Sequence, residues 1–208
     1  MKAFPVRTTA AAALLLALSA CGGKASFDVA GVFVTSQGVS QPMANSGLVL
    51  QNGSDNLSVP VGATTFKFGN SISYGSAYDI KVLKHPDHMT CSVVNGSGSA
   101  GHTASISASV ICTQNSYTIG GTVSGITGDY SVKLTNGSLG GQVVLTKDTP
   151  NFTFGTPVAD GQAYGVSVLE ITSATVTPVK LGCSIANGTD VMGNAPRANI
   201  VVTCAPKP

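Results

Sequence analysis

The chain has 208 residues, of which 43% are hydrophobic and only 10% are charged, and its formal net charge is +2. This balance argues against a nucleic-acid-binding protein, which needs a concentrated basic surface, and against intrinsic disorder. Glu170 is the only glutamate while Gly is abundant, so the composition also argues against a helical protein and favours strands.

The first predicted element is an export signal at residues 1–20. Lys2 and Arg7 give it a positive start, and an apolar run of 11 residues follows at 8–18. Such a run is too short to span a bilayer as a helix, which takes about 20 residues. No other stretch approaches 18 consecutive apolar residues, so no transmembrane helix is predicted.

The signal ends on Leu18-Ser19-Ala20-Cys21, which resembles the lipobox of bacterial lipoproteins. In that family the cysteine becomes the lipidated first residue of the mature protein. The resemblance therefore implies lipidation of Cys21 and a short anchor spacer at 21–26. Lipidation would account for the odd member of the five cysteines. The alternative is an ordinary signal cut near Ala20, with Cys21 left as a free thiol.

The residue after Cys21 bears on the membrane to which the anchor would attach. It is Gly22 rather than Asp. By resemblance to Gram-negative lipoproteins, this favours the outer membrane over retention at the inner membrane.

The rest of the sequence contains an internal duplication, which predicts tandem repeats at residues 27–115 and 116–206. Cys91 and Cys112 are 21 positions apart, as are Cys183 and Cys204, and the second pair follows the first at an offset of 92. Other segments match at offsets between 84 and 92, a drift that loop insertions in a duplicated domain produce. The matched segments are 27–31 with 117–121, 48–53 with 132–137, 66–69 with 152–155, and 78–82 with 164–168.

Within each repeat the apolar pattern has a period of two. Tyr164, Val166 and Val168 alternate with polar residues, as the residues of half-buried strands do, and Asn-Gly turn signals separate the apolar runs. We predict about seven short strands in each repeat. In the second they fall near 117–123, 130–135, 142–147, 151–154, 164–170, 183–186 and 198–204. The sequence thus predicts an all-β protein, two tandem antiparallel immunoglobulin-like β-sandwich domains after a signal peptide.

The four late cysteines are predicted to form the disulfides Cys91–Cys112 and Cys183–Cys204. An exported protein meets an oxidising compartment, and four-Cys zinc sites, the alternative, pair ligands two to four residues apart. Each disulfide is expected to link the last two strands of its repeat, or the loop beside them, rather than to span the sheets. Closing a loop of this size would stabilise each repeat by roughly 3 kcal/mol.

As a whole, the pattern resembles a repeat of envelope lipoproteins and surface proteins of environmental bacteria. There the unit opens with an aromatic, aliphatic, Gly-Gly motif, here Tyr117-Thr-Ile-Gly-Gly121, carries a central Phe-x-Phe, and closes on a Cys…Asn-Gly…Val-x-Cys block. The resemblance covers residues 27–205. The first repeat is the less faithful copy, since Phe27 and Ala30-Gly31 replace the aromatic and the Gly-Gly. The resemblance implies an extracytoplasmic β-module and no particular reaction.

A cluster of His85, Asp87, His88 and His102 lies in the first repeat, and such side chains could hold a transition metal. The corresponding stretch of the second repeat, 177–180, lacks these residue types, so the cluster is not a shared feature of the two repeats. We expect an exposed polar loop there, with metal binding and a pH-sensitive contact as the alternatives.

No catalytic residue and no cofactor is predicted. The carboxylates are scattered, and the sequence contains neither a paired-carboxylate arrangement nor a Gly-x-Ser-x-Gly nucleophile elbow. The aromatic residues at matched positions of the two repeats indicate core packing. Tyr74, Tyr117 and Tyr130 are not assigned to the core by such a match.

We therefore expect a non-enzymatic, lipid-anchored cell-envelope protein, a structural or binding module presented at the outer membrane on its periplasmic or surface face. The expected partners are the membrane, through the N-terminal anchor, and an unknown envelope protein or glycan, with no nucleic acid. The alternative is a carbohydrate-binding or adhesion module of the cell surface.

Overall fold

The structure is a computed structural model, and it describes residues 25–137 and 141–207. The predicted signal and Cys21 lie outside the described residues. Over the described part of the chain the protein is all-β, as predicted, with twenty strands. Within these same ranges, none of the helices is both long and apolar enough to cross a membrane.

Ten strands belong to the first repeat. They are β1 (Ser26–Phe27), β2 (Val29–Phe33), β3 (Val49–Asn52), β4 (Asp55–Ser58), β5 (Thr65–Lys67), β6 (Ile72–Ser73), β7 (Ala77–Lys84), β8 (Met89–Val94), β9 (Ser97–Ser99) and β10 (Ile106–Gln114). They form one four-stranded sheet in the order β5-β2-β10-β8, a second in the order β4-β3-β7-β9, and the two-stranded ribbon β1-β6.

The second repeat follows the same plan. Its strands are β11 (Ser116–Tyr117), β12 (Ile119–Ser124), β13 (Ser131–Asn136), β14 (Gln142–Leu145), β15 (Asn151–Thr153), β16 (Val158–Ala159), β17 (Ala163–Thr172), β18 (Leu181–Ala186), β19 (Thr189–Val191) and β20 (Arg197–Pro206). The sheet orders are β15-β12-β20-β18 and β14-β13-β17-β19, with the ribbon β11-β16. Each strand therefore has its counterpart ten strands earlier, and the duplication in the sequence is a duplication of topology.

The structure differs from the predicted strands in number and in one pairing. The run predicted at 117–123 is divided into β11 and β12, and β16 and β19 are strands of only two and three residues. In both repeats the first long strand pairs in parallel with the last, β2 with β10 and β12 with β20, whereas the other pairs are antiparallel. The parallel pairing is possible because the intervening chain crosses through the other sheet before it returns.

The core of each repeat lies between its two sheets. In β10 the side chains at alternate positions from Ile106 to Cys112 are buried, and β20 has the same pattern from Ile200 to Cys204. The Phe-x-Phe motif belongs to this core. Residues two apart in a strand point to the same face, and the rings of Phe152 and Phe154 meet edge to face with their centroids 6.0 Å apart.

The glycines of the opening motif are required by close packing between strands. A Cβ added at Gly121 would collide with the backbone carbonyl oxygen of Ile200, and one at Gly120 would collide with that of Phe152. In the first repeat, a Cβ added at Gly31 would likewise collide with the carbonyl oxygen of Ala108. The motif is therefore explained by the tight fit of one strand between its two neighbours.

Candidate functional site

The two predicted disulfides are present in the described part of the chain. Cys91 of β8 and Cys112 of β10 are directly opposite each other, with their Cα atoms 4.0 Å apart. Cys183 of β18 and Cys204 of β20 are paired in the same way, also at 4.0 Å. Each disulfide therefore links neighbouring strands of one sheet and does not span the two sheets. The strand between them in the sequence, β9 or β19, belongs to the other sheet of its repeat.

The residues proposed as metal ligands have different neighbours. His85 Nδ1 accepts a hydrogen bond from the backbone N–H of Cys91 at 3.1 Å, and the Asp87 carboxylate accepts one from the Ser46 hydroxyl at 3.0 Å. His102 is exposed in the loop before β10. Within residues 25–137 and 141–207, no group of three or more His, Cys, Asp or Glu side chains is placed to hold a metal ion.

His88, the fourth of these residues, contacts the second repeat. Its Nδ1 lies 3.0 Å from Oδ1 of Asp160, and its backbone carbonyl oxygen accepts a hydrogen bond from the N–H of Asn115 at 2.9 Å. Its ring packs on Gly161, where an added Cβ would be 3.2 Å from the imidazole. The Gln114 side chain donates to the Asp160 carbonyl oxygen at 2.9 Å. We call this set of contacts the repeat junction.

The repeat junction was not anticipated from the sequence. Its signal is the difference between the two copies at matched positions. Lys180 stands 92 positions after His88, and its carbonyl oxygen accepts a hydrogen bond from the N–H of Lys207, just as that of His88 does from Asn115. This backbone hydrogen bond is thus repeated, while the imidazole of the first copy is replaced by the Lys180 side chain in the second.

A second feature is a cavity of about 440 Å³ in the first repeat, which we call the polar cup. Its wall is formed by the β3–β4 turn, the segment leading into β6, and the beginning of β7. The residues that line it are Asn52, Gly53, Ser54, Asp55, Asn70, Ile72, Ala77, Tyr78 and Asp79.

The polar side chains of the cup are held by one another. Oδ2 of Asp55 accepts hydrogen bonds from the backbone N–H of Asn70 at 3.1 Å and from its side-chain amide at 3.0 Å. Oδ1 of Asn52 accepts one from the backbone N–H of Asp79 at 2.9 Å. The Asp79 carboxylate is paired with Lys81 at 2.6 Å and remains half exposed. The cup therefore presents carboxylate and amide groups at its rim in a fixed arrangement.

The matching place in the second repeat is built differently. Asn136 occupies the position of Asn52, and its Oδ1 accepts a hydrogen bond from the Gly165 N–H at 3.0 Å. However, Asn136 is only 1% exposed, and Gly165 stands where Asp79 stands in the first repeat. Tyr164 is buried as well. This burial raises the pKa of its hydroxyl, and the negative charge of the nearby Asp190 carboxylate adds a smaller effect in the same direction.

Other carboxylates hold loops in place. Asp129 accepts hydrogen bonds from the Ser173 hydroxyl and from the backbone N–H groups of Ala174 and Thr175, each at 2.8 Å. These bonds, the one from Ser173 above all, hold the pKa of Asp129 below its ordinary value. In the first repeat, the bonds that Asp28 accepts from Lys67 and Ser71 likewise lower its pKa.

No model of a known family matches the sequence, and no curated protein matches it.

Proposed function

We propose that the chain is a non-enzymatic, lipid-anchored cell-envelope protein whose two immunoglobulin-like repeats form a structural or binding module at the outer membrane. The observation that carries this proposal is that each repeat has its own disulfide, Cys91–Cys112 and Cys183–Cys204. Disulfides persist in oxidising compartments outside the cytoplasm and are rare within it, so they agree with the export signal at residues 1–20.

The anchor in this proposal is Cys21, because the motif at residues 18–21 resembles a lipobox. Each buried methylene of an acyl chain contributes about 0.8 kcal/mol, so that several chains give a stable attachment where one does not. The described chain enters its first strand at Ser26, five positions after this cysteine, which would keep the first repeat near the lipid.

The use that the fold makes of its carboxylates supports a non-enzymatic role. Asp28 is paired with Lys67, Asp87 ties its loop to Ser46, and Asp129 caps the segment after β17. An acid or base catalyst has to reach a bound substrate, whereas these three carboxylates bond to strand and loop residues of the protein itself and hold them together.

Carbohydrate binding is a second candidate, and the polar cup is the observation that favours it. Neighbouring sugar hydroxyls are recognised by planar carboxylate and amide groups that accept and donate in pairs, and the cup contains Asp55, Asn70 and Asp79. Its remaining wall includes the half-buried ring of Tyr78, which offers an apolar surface to a sugar ring.

The proposal of a lipid anchor is tested by expressing the full chain and its Cys21→Ser variant in a Gram-negative host fed with labelled palmitate. The expected result is that the wild-type chain takes up the label and sediments with the membranes, while C21S does neither. If both proteins are unlabelled and soluble in the periplasm, the anchor is wrong. If both are labelled, the lipid is not on Cys21.

The carbohydrate candidate is tested by titrating the isotopically labelled protein with peptidoglycan fragments and with lipopolysaccharide oligosaccharide while recording amide NMR spectra. Binding in the cup should move the amide signals of Asn52, Asp55 and Asp79 together, and Asp79→Ala should weaken it. Asp148→Ala is the control, because Asp148 is exposed in the second repeat. Shifts that are absent or scattered over both repeats count against this candidate.

A further inference from the structure

Tyr74 and Asp160 occupy the same position in the two repeats. The backbone N–H of Tyr74 donates to the carbonyl oxygen of Ala25, and that of Asp160 donates to the carbonyl oxygen of Asn115, both at 2.9 Å. Ala25 immediately precedes β1, and Asn115 immediately precedes β11, the equivalent strand of the second copy. The β1–β6 end of the first repeat can therefore be compared directly with the β11–β16 end of the second.

These equivalent ends differ in what covers them. In the second repeat the Asp160 side chain is only 7% exposed, since His88 of the first repeat lies against it. In the first repeat, Tyr74 is 69% exposed. The position that is polar and covered by protein in one copy is thus aromatic and open to solvent in the other.

The Tyr74 ring is held in this exposed position by its neighbours. The ring of Phe27 lies beside it, with centroids 6.4 Å apart. On another side the backbone of Gly101 lies so close that an added Cβ would collide with the Tyr74 ring. Gly101 has φ +97°, a conformation that favours glycine, so this close approach is built into the loop. We call the surface formed by Phe27, Tyr74 and Gly101 the aromatic end.

The chain length between this surface and the proposed anchor is short. Ala25 follows Cys21 by four residues, and a fully extended chain spans at most about 3.6 Å per residue. The lipid attachment point is therefore within about 14 Å of Ala25 by covalent geometry alone. The carbonyl oxygen of Ala25 in turn accepts a hydrogen bond from the backbone N–H of Tyr74.

The chemistry of the aromatic end matches the headgroup region of a bilayer. Tyrosine has an apolar ring and a polar tip, and it is enriched where a protein meets the membrane–water interface. The nearest carboxylate along the chain, Asp28, is paired with Lys67, which limits its repulsion from anionic lipids. Burial of the exposed ring surface at about 25 cal/mol per Å² would favour this contact.

We infer that the aromatic end docks on the headgroup surface of the leaflet in which the chain is anchored, so that Phe27 and Tyr74 hold the first repeat against the membrane. This inference rests on the proposed lipidation of Cys21. It adds to the acyl chains a second, protein-borne contact with the membrane, which forms at a high effective concentration because the anchor is only a few residues away.

The chain contains no tryptophan, so Tyr74→Trp introduces a single tryptophan, at the aromatic end, whose emission can be excited selectively over that of the tyrosines. The full-length lipidated variant is reconstituted into vesicles of phosphatidylethanolamine and phosphatidylglycerol, with a fraction of phospholipid brominated near the headgroup end of the acyl chains. Val144→Trp is the matched control, because Val144 is half exposed in the second repeat. Flotation of the vesicles shows whether each protein is anchored.

We expect Y74W to float with the vesicles and its fluorescence to be quenched by the brominated lipid. Its emission maximum should lie at a shorter wavelength on the vesicles than in detergent-free buffer after the protein is released from the lipid. V144W should float without being quenched. Adding Phe27→Ala to Y74W should reduce the quenching.

Two results would overturn the inference while leaving the anchor in place. The first is flotation of Y74W without quenching. The second is a blue shift of the Y74W emission that depends on protein concentration and is not accompanied by quenching from brominated lipid. That result would mean that a second copy of the chain covers the aromatic end. Failure of the lipidated protein to float at all would overturn both the anchor and the docking.

Discussion

His88 of the first repeat and Asp160 of the second are joined by a contact of 3.0 Å between Nδ1 and Oδ1. The aspartate is buried and the histidine is half exposed. His88 also has φ +63°, a left-handed conformation that few non-glycine residues adopt. Its carbonyl oxygen accepts a hydrogen bond from the N–H of Asn115 at the end of the first repeat, and its ring contacts Asp160 and Gly161 of the second. The two repeats therefore meet through a built contact in which the loop of one is shaped to the end of the other.

Replacement of His88 by Ala should loosen the repeat junction. It leaves the buried Asp160 carboxylate without its imidazole partner, a loss that costs about 1–3 kcal/mol for a buried acceptor. We expect a lower unfolding midpoint in urea and a broader distribution of distances between spin labels placed on the two repeats. His102→Ala, which removes an exposed histidine of the same repeat, should change neither. Identical behaviour of the two variants would show that the junction does not couple the repeats.

Asn136→Ala should destabilise the protein more than Asn52→Ala. Both asparagines accept a hydrogen bond from the backbone of the neighbouring strand, at 3.0 and 2.9 Å, but Asn136 is almost fully buried whereas Asn52 borders the polar cup. An unsatisfied buried N–H costs about 1–3 kcal/mol, while a more accessible one can bond to water. Denaturant unfolding of both variants measures the difference. Equal losses would mean that water does not reach the Asn52 site.

Gly121→Ala should cost about 1–3 kcal/mol or more, because the added Cβ would collide with the backbone carbonyl oxygen of Ile200 and force the two strands apart. The matched control is Gly69→Ala, where an added Cβ meets nothing within 4 Å. Thermal unfolding of the two variants should show a clear loss only for G121A. A similar small effect in both would contradict the close packing of β12 on β20.

Asp129→Asn should change the pH dependence of stability. The pKa of Asp129 is lowered in the folded protein by the hydrogen bonds from Ser173 and from the Thr175 and Ala174 backbone. The charged carboxylate therefore stabilises the fold at pH values above its ordinary pKa, and this contribution is lost as the pH falls through the lowered, folded value. Wild type should be more stable than D129N at neutral pH, and the gap should close on acidification. A gap that is constant with pH would exclude this charge effect.

Much of the fold could be predicted because the same information occurs twice. The spacing of Cys183 and Cys204 repeats that of Cys91 and Cys112, and the disulfides lie where this spacing places them, between neighbouring strands of one sheet. The Phe-x-Phe motif was correctly assigned to the core. The strands that the sequence did not indicate, such as Val158–Ala159 and Thr189–Val191, are too short to contain a period of two. The parallel pairing of the first and last long strands depends on the path of the whole chain, which local patterns do not record.

The site could be predicted less well, for a related reason. His88 and Asp160 form a contact between the repeats, and at the matched position the other copy has a different residue in each case. A comparison of the copies identifies the core residues that they share, but it cannot identify this pair. The Asn-Gly pairs were interpreted as turns, which is correct for Asn95 and Asn187 with φ +55° and +56°. The side-chain role of Asn136 in holding two strands together needed the three-dimensional structure.

The lipid anchor and the two disulfides are tested together by the intact mass of the protein purified from membranes, first non-reduced and then reduced and alkylated. We expect a chain that begins at Cys21, carries acyl groups, and gains four alkylated thiols only after reduction. A chain with an unmodified Cys21, or with the other four cysteines alkylated before reduction, would contradict the proposed lipid-anchored, disulfide-bonded envelope protein.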